Sequence, residues 1–364
     1  MCTVSVNSMK IWNFFLILLL SQLCRETAGS LKLVQVLFRH GDRTPTETYP
    51  NDPHQSWKGG WGILTNKGKS QMYYLGKLLR ERYRTFLPEH YIAENVYVRS
   101  SYADRCIMSA QTFLAGLFPP KDDQIWNPNL LWQPIPVKSV PRHLDNVIAM
   151  KKQCLVYDDA LKNAYQSPKI KQINEANADL YEYLTLATGN PVKDINAVEY
   201  LYNTLEIELQ NNLTLPQWTK NISLNHLRKI AEMNFAIFSD TTLMKRLTGG
   251  SFLTEVITQM KTKIDRTSAL NIALFSGHDV TLITVLRTLG FEKLFKPDYG
   301  AYLVFELHEA NGDYEIKIFF GENYETVPQQ MELEFCKSPC IFNNFVKGLH
   351  AVLPDDWEAE CSRY

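Results

Sequence analysis

The sequence predicts an α/β protein, a sheet of strands buried on both faces and flanked by helices, with a helical segment inserted into its middle. Three observations support this. Leu31-Lys32-Leu33-Val34-Gln35-Val36-Leu37-Phe38 is an almost unbroken apolar run rich in β-forming residues, the pattern of a strand covered on both sides, as in a parallel sheet. Residues 142–262 are rich in Asn, Lys and Glu, are broken at Pro168, Gly189-Asn190-Pro191 and Pro216, and show no strand run. The strand pattern then returns at Ala269-Leu270-Asn271-Ile272-Ala273-Leu274-Phe275. The expected organisation is an α/β domain built from residues 31–141 plus 263–364, carrying a helical cap at 142–262.

Size agrees with that division. The chain has 364 residues, above the roughly 250–300 at which a single core stops growing. Its net charge of −1 argues against nucleic acid or an anionic membrane as the partner, because no bulk field would draw either. Any anion must be recognised by a few placed cations.

The remaining elements follow in order. Lys10, the apolar run Ile11 to Leu20 and the small residues up to Ser30 match a secretory signal peptide over residues 1–30, cleaved after Gly29 or Ser30. A helix is expected from a cap at Thr65, with Met72, Leu75, Leu79 and Tyr83 at helical spacing. Val96-Tyr97-Val98 reads as a second strand and Ser100 to Phe118 as a helix stopped by Pro119-Pro120. The last strands are expected at Ala301–Leu307 and Tyr314–Phe320, joined through the hairpin signal Asn311-Gly312. No second long apolar run occurs and the chain ends on a polar segment, so no membrane anchor is expected.

Outside the presumed signal lie Cys106, Cys154, Cys336, Cys340 and Cys361, an odd number that suits two bridges and one free thiol. Cys336 and Cys340 flank Ser338-Pro339 and read better as a clipped loop than as half of a metal site. Cys106 has the apolar setting of a small buried hydrophobe. Asn212-Leu213-Thr214 and Asn221-Ile222-Ser223 are glycosylation sequons for a secreted chain.

Three strands end on a cation or a histidine: Arg39-His40, Arg99, and His278-Asp279. Ligands of open parallel sheets bind outside the carboxyl ends of the strands, where these side chains would converge. Arg39, Arg43 and Arg99 present paired donors that suit phosphate oxygens, and His278 could join them. Positive neighbours disfavour imidazolium, so His40 can stay a neutral nucleophile in acid. Asp279 is the natural proton donor to a leaving alcohol.

At this point a resemblance becomes specific. Arg39-His40-Gly41-Asp42-Arg43-Thr44-Pro45 resembles the RHGxRxP signature of the histidine acid phosphatases, and Ser276-Gly277-His278-Asp279 their second, HD-bearing motif. Leu64-Thr65-Asn66-Lys67-Gly68-Lys69-Ser70-Gln71 resembles the family's LTxxGxxQ segment. Val98-Arg99-Ser100-Ser101, Asp104-Arg105 and Met108-Ser109-Ala110 resemble its third arginine block. Phe118-Pro119-Pro120, Trp126-Asn127-Pro128 and Trp132-Gln133-Pro134-Ile135-Pro136 are similar to the prostatic and lysosomal branch, insect venom acid phosphatases included. The matches run in order from about Leu31 to Cys361.

The resemblance implies a phosphohistidine on His40, a phosphate held by Arg39, Arg43, Arg99 and His278, and protonation of the leaving group by Asp279. It implies a mostly parallel, mixed, phosphoglycerate-mutase-like sheet in three layers with a helical cap, and bridges Cys154–Cys361 and Cys336–Cys340. It implies no metal or organic cofactor and a substrate that is a small-molecule or protein phosphate monoester. Only the relatives suggest a homodimer. A secreted acid phosphatase, with the lysosome as an alternative destination, is the expectation. The competing readings are a phytase-type enzyme and an inactive secreted binding protein of the same fold. Unlike some relatives, this chain has no cysteines left for a disulfide between cap and core.

Overall fold

The computed structural model describes residues 29–362, so the expected signal segment lies outside the described residues except for Gly29 and Ser30. Seven strands form one sheet: β1 (Ser30–Arg39), β2 (Val96–Ser101), β3 (Lys138–Val140), β4 (Ile272–Gly277), β5 (Tyr302–Ala310), β6 (Asp313–Gly321) and β7 (Gln329–Met331). Their order is β3-β2-β4-β1-β5-β6-β7. The β3, β2, β4 and β1 strands pair in parallel, and β5, β6 and β7 add in alternating sense, so five of the seven point the same way. The sheet is mixed and mostly parallel, as expected.

The period of two along β1 explains its apolar run. Val34, Val36 and Phe38 enter one core with helices α1 (Asn66–Arg82) and α2 (Asp104–Leu117). Leu33 and Leu37 enter the opposite core. The second helix starts later than the expected Ser100, because β2 runs on to Ser101. Thr65 caps α1 as expected, its hydroxyl accepting from the Gly68 amide at 3.0 Å. The hairpin turns through Asn311 (φ 54°) and Gly312 (φ 86°), the pair of positive angles that a type I′ turn requires.

Between the sheet halves come α3 (Leu155–Tyr165), α4 (Pro168–Ala176), α5 (Ala178–Thr188), α6 (Ile195–Gln210) and α7 (Leu224–Ile237), followed by α8 (Thr242–Leu247) and α9 (Gly249–Ile264). The segment expected as one cap divides in its packing. The α4 to α7 helices share a core of their own with Tyr49. Phe252, Leu253, Val256, Ile257 and Met260 of α9 instead cover the sheet beside Phe275. The far layer is completed by α10 (Asp279–Thr288) and α11 (Phe342–Leu349), and α12 (Trp357–Cys361) ends the described chain. Cys154 is bonded to Cys361 and Cys336 to Cys340, while Cys106 is free and buried.

The cap is fastened to the loop that follows β1. Asn51 donates its amide to Thr188 at 3.0 Å, Thr204 donates to the Glu47 carbonyl at 3.2 Å, and the His54 ring meets the Thr214 carbonyl at 3.0 Å. Beside these, Glu208 of α6 is fully buried against Asp52, and neither of its oxygens meets a donor. Burial, then the Asp52 carboxylate, pushes Glu208 up to about 8, so it is protonated and donates to Asp52. An unfolded chain releases that proton near pH 4.3. Between the two values the folded state holds the extra proton, and stability falls as pH rises. Glu208→Gln should therefore match the wild type in Tm near pH 4.5 and exceed it by about 2–5 °C at pH 8. A difference in Tm that stays constant across that range would show that no proton is shared there.

Candidate active site

The sheet order places the carboxyl ends of β1, β4 and β2 side by side. Arg39 pairs with Gly277 and Ser100 with Ser276, and the His40 amide donates to Gly277 at 3.1 Å. His40 and His278 thus emerge from neighbouring strands, their ring centroids 5.7 Å apart. His40 is 2% exposed. Its Nδ1 lies 2.8 Å from the Gly41 carbonyl. A carbonyl only accepts, so Nδ1 carries the proton and Nε2 keeps its lone pair.

Cations surround that ring. Burial first, then Arg105, Arg39, His278 and Arg43, hold the His40 imidazole well below its usual range. Burial and Arg105 likewise lower His278 to about 3. Arg39 donates to the Pro297 carbonyl at 2.5 Å and to Asp279 Oδ2 at 2.8 Å, and stacks over Tyr299 at 4.1 Å. Burial alone would raise Asp279, but Arg39, Lys296 and Arg43 hold it well below the carboxylate range. The Nε atoms of Arg39, Arg43 and Arg105 are buried without a partner. Among the described residues these donors are unmet, as is Nε of Arg99, and three guanidinium groups gathered around His40 have the chemistry to cradle an oxyanion.

The loop that carries His40 is held from two helices. Asp42 accepts from Thr65 Oγ1 at 2.5 Å, and its amide donates to Gln71 at 2.7 Å. The Gly41 amide donates to Ser109 Oγ at 3.2 Å. Gly68 closes the arrangement: a Cβ there would stand 2.2 Å from the Asp42 carbonyl. The Thr65, Gly68, Gln71 and Ser109 motif positions therefore act as a brace.

One expected site residue lies elsewhere. Arg99 pairs with the buried Asp145 at 2.9 Å and bonds Tyr97. It lies inside β2, where its guanidinium is engaged by Asp145 and Tyr97. Arg105, in the first turn of α2, occupies the place expected for it. The sequence motif contained both arginines, and only the break between β2 and α2 separates their directions. Arg39, Arg43, His40, His278 and Asp279 are brought together.

Three further groups were not foreseen. Lys296, 5% exposed, is ion-paired with Glu206 of α6 and lies 5.0 Å over Tyr202. Glu199, two turns before Glu206 on the same face of α6, is pushed up to about 7 by burial and then by Asp279. A helical stripe of Glu199, Tyr202, Asn203 and Glu206 was the one signal available. Among the described residues no group of three or more His, Cys, Asp or Glu side chains is arranged to hold a metal ion.

Arg105→Ala should weaken inhibition by inorganic phosphate about 10–100-fold, the worth of charge-assisted hydrogen bonds. Arg99→Ala should leave that inhibition within about twofold but lower Tm by about 3–8 °C, since the buried Asp145 carboxylate loses its cation and keeps its backbone amides alone. The opposite pattern in inhibition constants would return Arg99 to the cradle.

Comparisons with known proteins identify the family. The family model "Histidine phosphatase superfamily (branch 2)" matches residues 30–321. Human prostatic acid phosphatase is 34% identical over 355 residues, covering 95% of this chain and 92% of that protein. Human lysosomal acid phosphatase is 33% identical, covering 92% of this chain and 81% of its own length. The apo phytase of Hafnia alvei has the same fold, with a TM-score of 0.70 at 18% identity over 93% of this chain and 99% of that one. A matched family model, a relative above one-third identity over nearly the whole chain and a histidine set in an arginine cradle agree: this chain belongs to branch 2 of the histidine phosphatase superfamily.

Proposed function

We propose that this protein is a secreted acid phosphatase that hydrolyses phosphate monoesters through a phosphohistidine on His40. One observation carries the reading. His40 gives its Nδ1 proton to the Gly41 carbonyl, which leaves Nε2 bare among three arginines whose Nε atoms have no partner. Arg39, Arg43 and Arg105, with His278, hold the phosphoryl oxygens. Nε2 attacks phosphorus, the bond to the ester oxygen breaks, and Asp279 gives that oxygen its proton. Water then attacks the phosphohistidine, returning a proton to Asp279 and releasing phosphate and His40.

Asp279 must be protonated for the first step, although Arg39 favours its charged form. A bound phosphoryl group shares the charge of Arg39 and Arg43 and so restores the Asp279 proton in acid. Secretion is supported by the signal-like N-terminus, the two disulfides and the exposed sequon residues Asn212 and Asn221. Among the described residues no helix is long and apolar enough to cross a membrane. A phytase reading gains only the fold from its structural neighbours, whereas the relatives at about one-third identity are acid phosphatases.

Activity should peak at about pH 4–6, where His40 is neutral and Asp279 can protonate. An optimum above about pH 8 would be incompatible with the scheme. His40→Ala should abolish turnover of every monoester. Asp279→Asn should cost an alkyl phosphate about 10²–10⁴-fold in kcat and an activated aryl phosphate far less, because an acidic phenol leaves unaided. Equal losses on the two esters would remove Asp279 from the role of acid.

A further inference from the structure

His278 is held by more than the strand it follows. Its Nε2 lies 2.8 Å from Oγ of Ser101, the last residue of β2, which is 2% exposed. Its Nδ1 lies 3.4 Å from Nη2 of Arg105. A guanidinium has donors only, so Nδ1 faces it with a lone pair. The proton of the neutral ring therefore sits on Nε2 and is donated to Ser101. The Ser101 hydroxyl in turn bonds the sulfur of Cys106, which packs 3.8 Å from both ring nitrogens. The tautomer that results points a lone pair at the cradle, where an incoming anion also brings only lone pairs.

We infer that Ser101 is a positioning residue: it keeps Nε2–H of His278 engaged, so that His278 grips an oxyanion only after Nδ1 takes up a proton from solvent. The inference rests on the phosphate-binding reading of the cradle. One proton leaves the solvent, forms the Nδ1–H bond and is donated to an anion oxygen, while the Nε2–H bond to Ser101 is kept. The charged and titratable groups around the ring are Arg105 and Cys106 from α2, His40, Arg39 and Arg43 from the end of β1, and Asp279 from its own helix. Before an anion arrives the cations hold the ring neutral, and a bound dianion reverses the local field.

Sulfate is the probe, because it does not itself titrate between pH 4 and 7. Calorimetric titration in two buffers of different ionisation enthalpy counts the protons taken up at pH 5.5. The measurement is made in an Asp279→Asn, His40→Asn background, which removes the two neighbouring groups that could also take up a proton on anion binding. Uptake of about one proton per sulfate is expected, kept by Ser101→Thr. Ser101→Ala should cut uptake to below about half and weaken sulfate about 5–10-fold. Damage to packing alone would weaken binding and leave the proton count intact. Sulfate binding without proton uptake, or full uptake and affinity in Ser101→Ala, overturns the inference. Turnover surviving in His40→Ala would instead overturn the phosphohistidine reading, and the two failures are thereby told apart.

Discussion

The ion pair between Arg39 and Asp279 is the interaction on which the rest of the site depends. It joins the end of β1 to the start of α10, 2.8 Å long, with the guanidinium 3% and the carboxylate 16% exposed. A pair so far from water is worth having only if its remaining donors and acceptors are met. Here the Pro297 carbonyl and the face of Tyr299 meet Arg39, and the Val280 amide meets Asp279 at 2.8 Å. The same pair fixes the chemistry. Arg39 helps to keep His40 neutral and favours the charged form of Asp279. The proposed nucleophile and the proposed acid thus answer to one cation.

Concentrating positive charge in a buried place requires a stiff frame, because the charges repel one another and would otherwise separate. The sheet supplies part of it through the parallel ladder of β1, β4 and β2. The rest comes from α1 and α2, whose Thr65, Gln71 and Ser109 side chains bind the Gly41-Asp42 segment. This gives the family's motif residues a mechanical meaning. Gly68 is present because a methyl group would strike the Asp42 carbonyl, and Thr65 caps its helix with the same hydroxyl that holds Asp42.

What the sequence disclosed follows from how each feature is encoded. Buried strands that stop abruptly on charge are local signals, and β1, β4 and the residues at their ends were legible for that reason. Arg99 and Arg105 were not separable, because their roles turn on where β2 stops, and strand and helix ends are the least certain part of any reading. The α9 helix was read as part of the cap because an amphipathic period is the same whether the apolar face meets a sheet or other helices. Lys296 and Glu206 are ninety residues apart in sequence, and nothing in either neighbourhood announces the pairing. Glu199 is meaningful only once α6 is known to face Asp279.

Those long-range groups change how the site should be regarded. The floor of the pocket, made by the sheet, is cationic and selects a phosphoryl group. The face above it, made by α6, carries Glu199 and Glu206, and Glu206 is ion-paired with Lys296. In acid Glu199 is largely protonated, so it adds little repulsion to an approaching monoester. As pH rises through about 7 it places a second negative charge near Asp279. The approaching phosphate is then repelled, while the same negative charge works the other way on Asp279, where it favours the protonated form. Acid preference in this protein is therefore distributed between floor and roof. His40 tolerates low pH because cations surround it, and the cap opposes an anion at higher pH because burial, which keeps Glu199 neutral in acid, no longer does so above about 7.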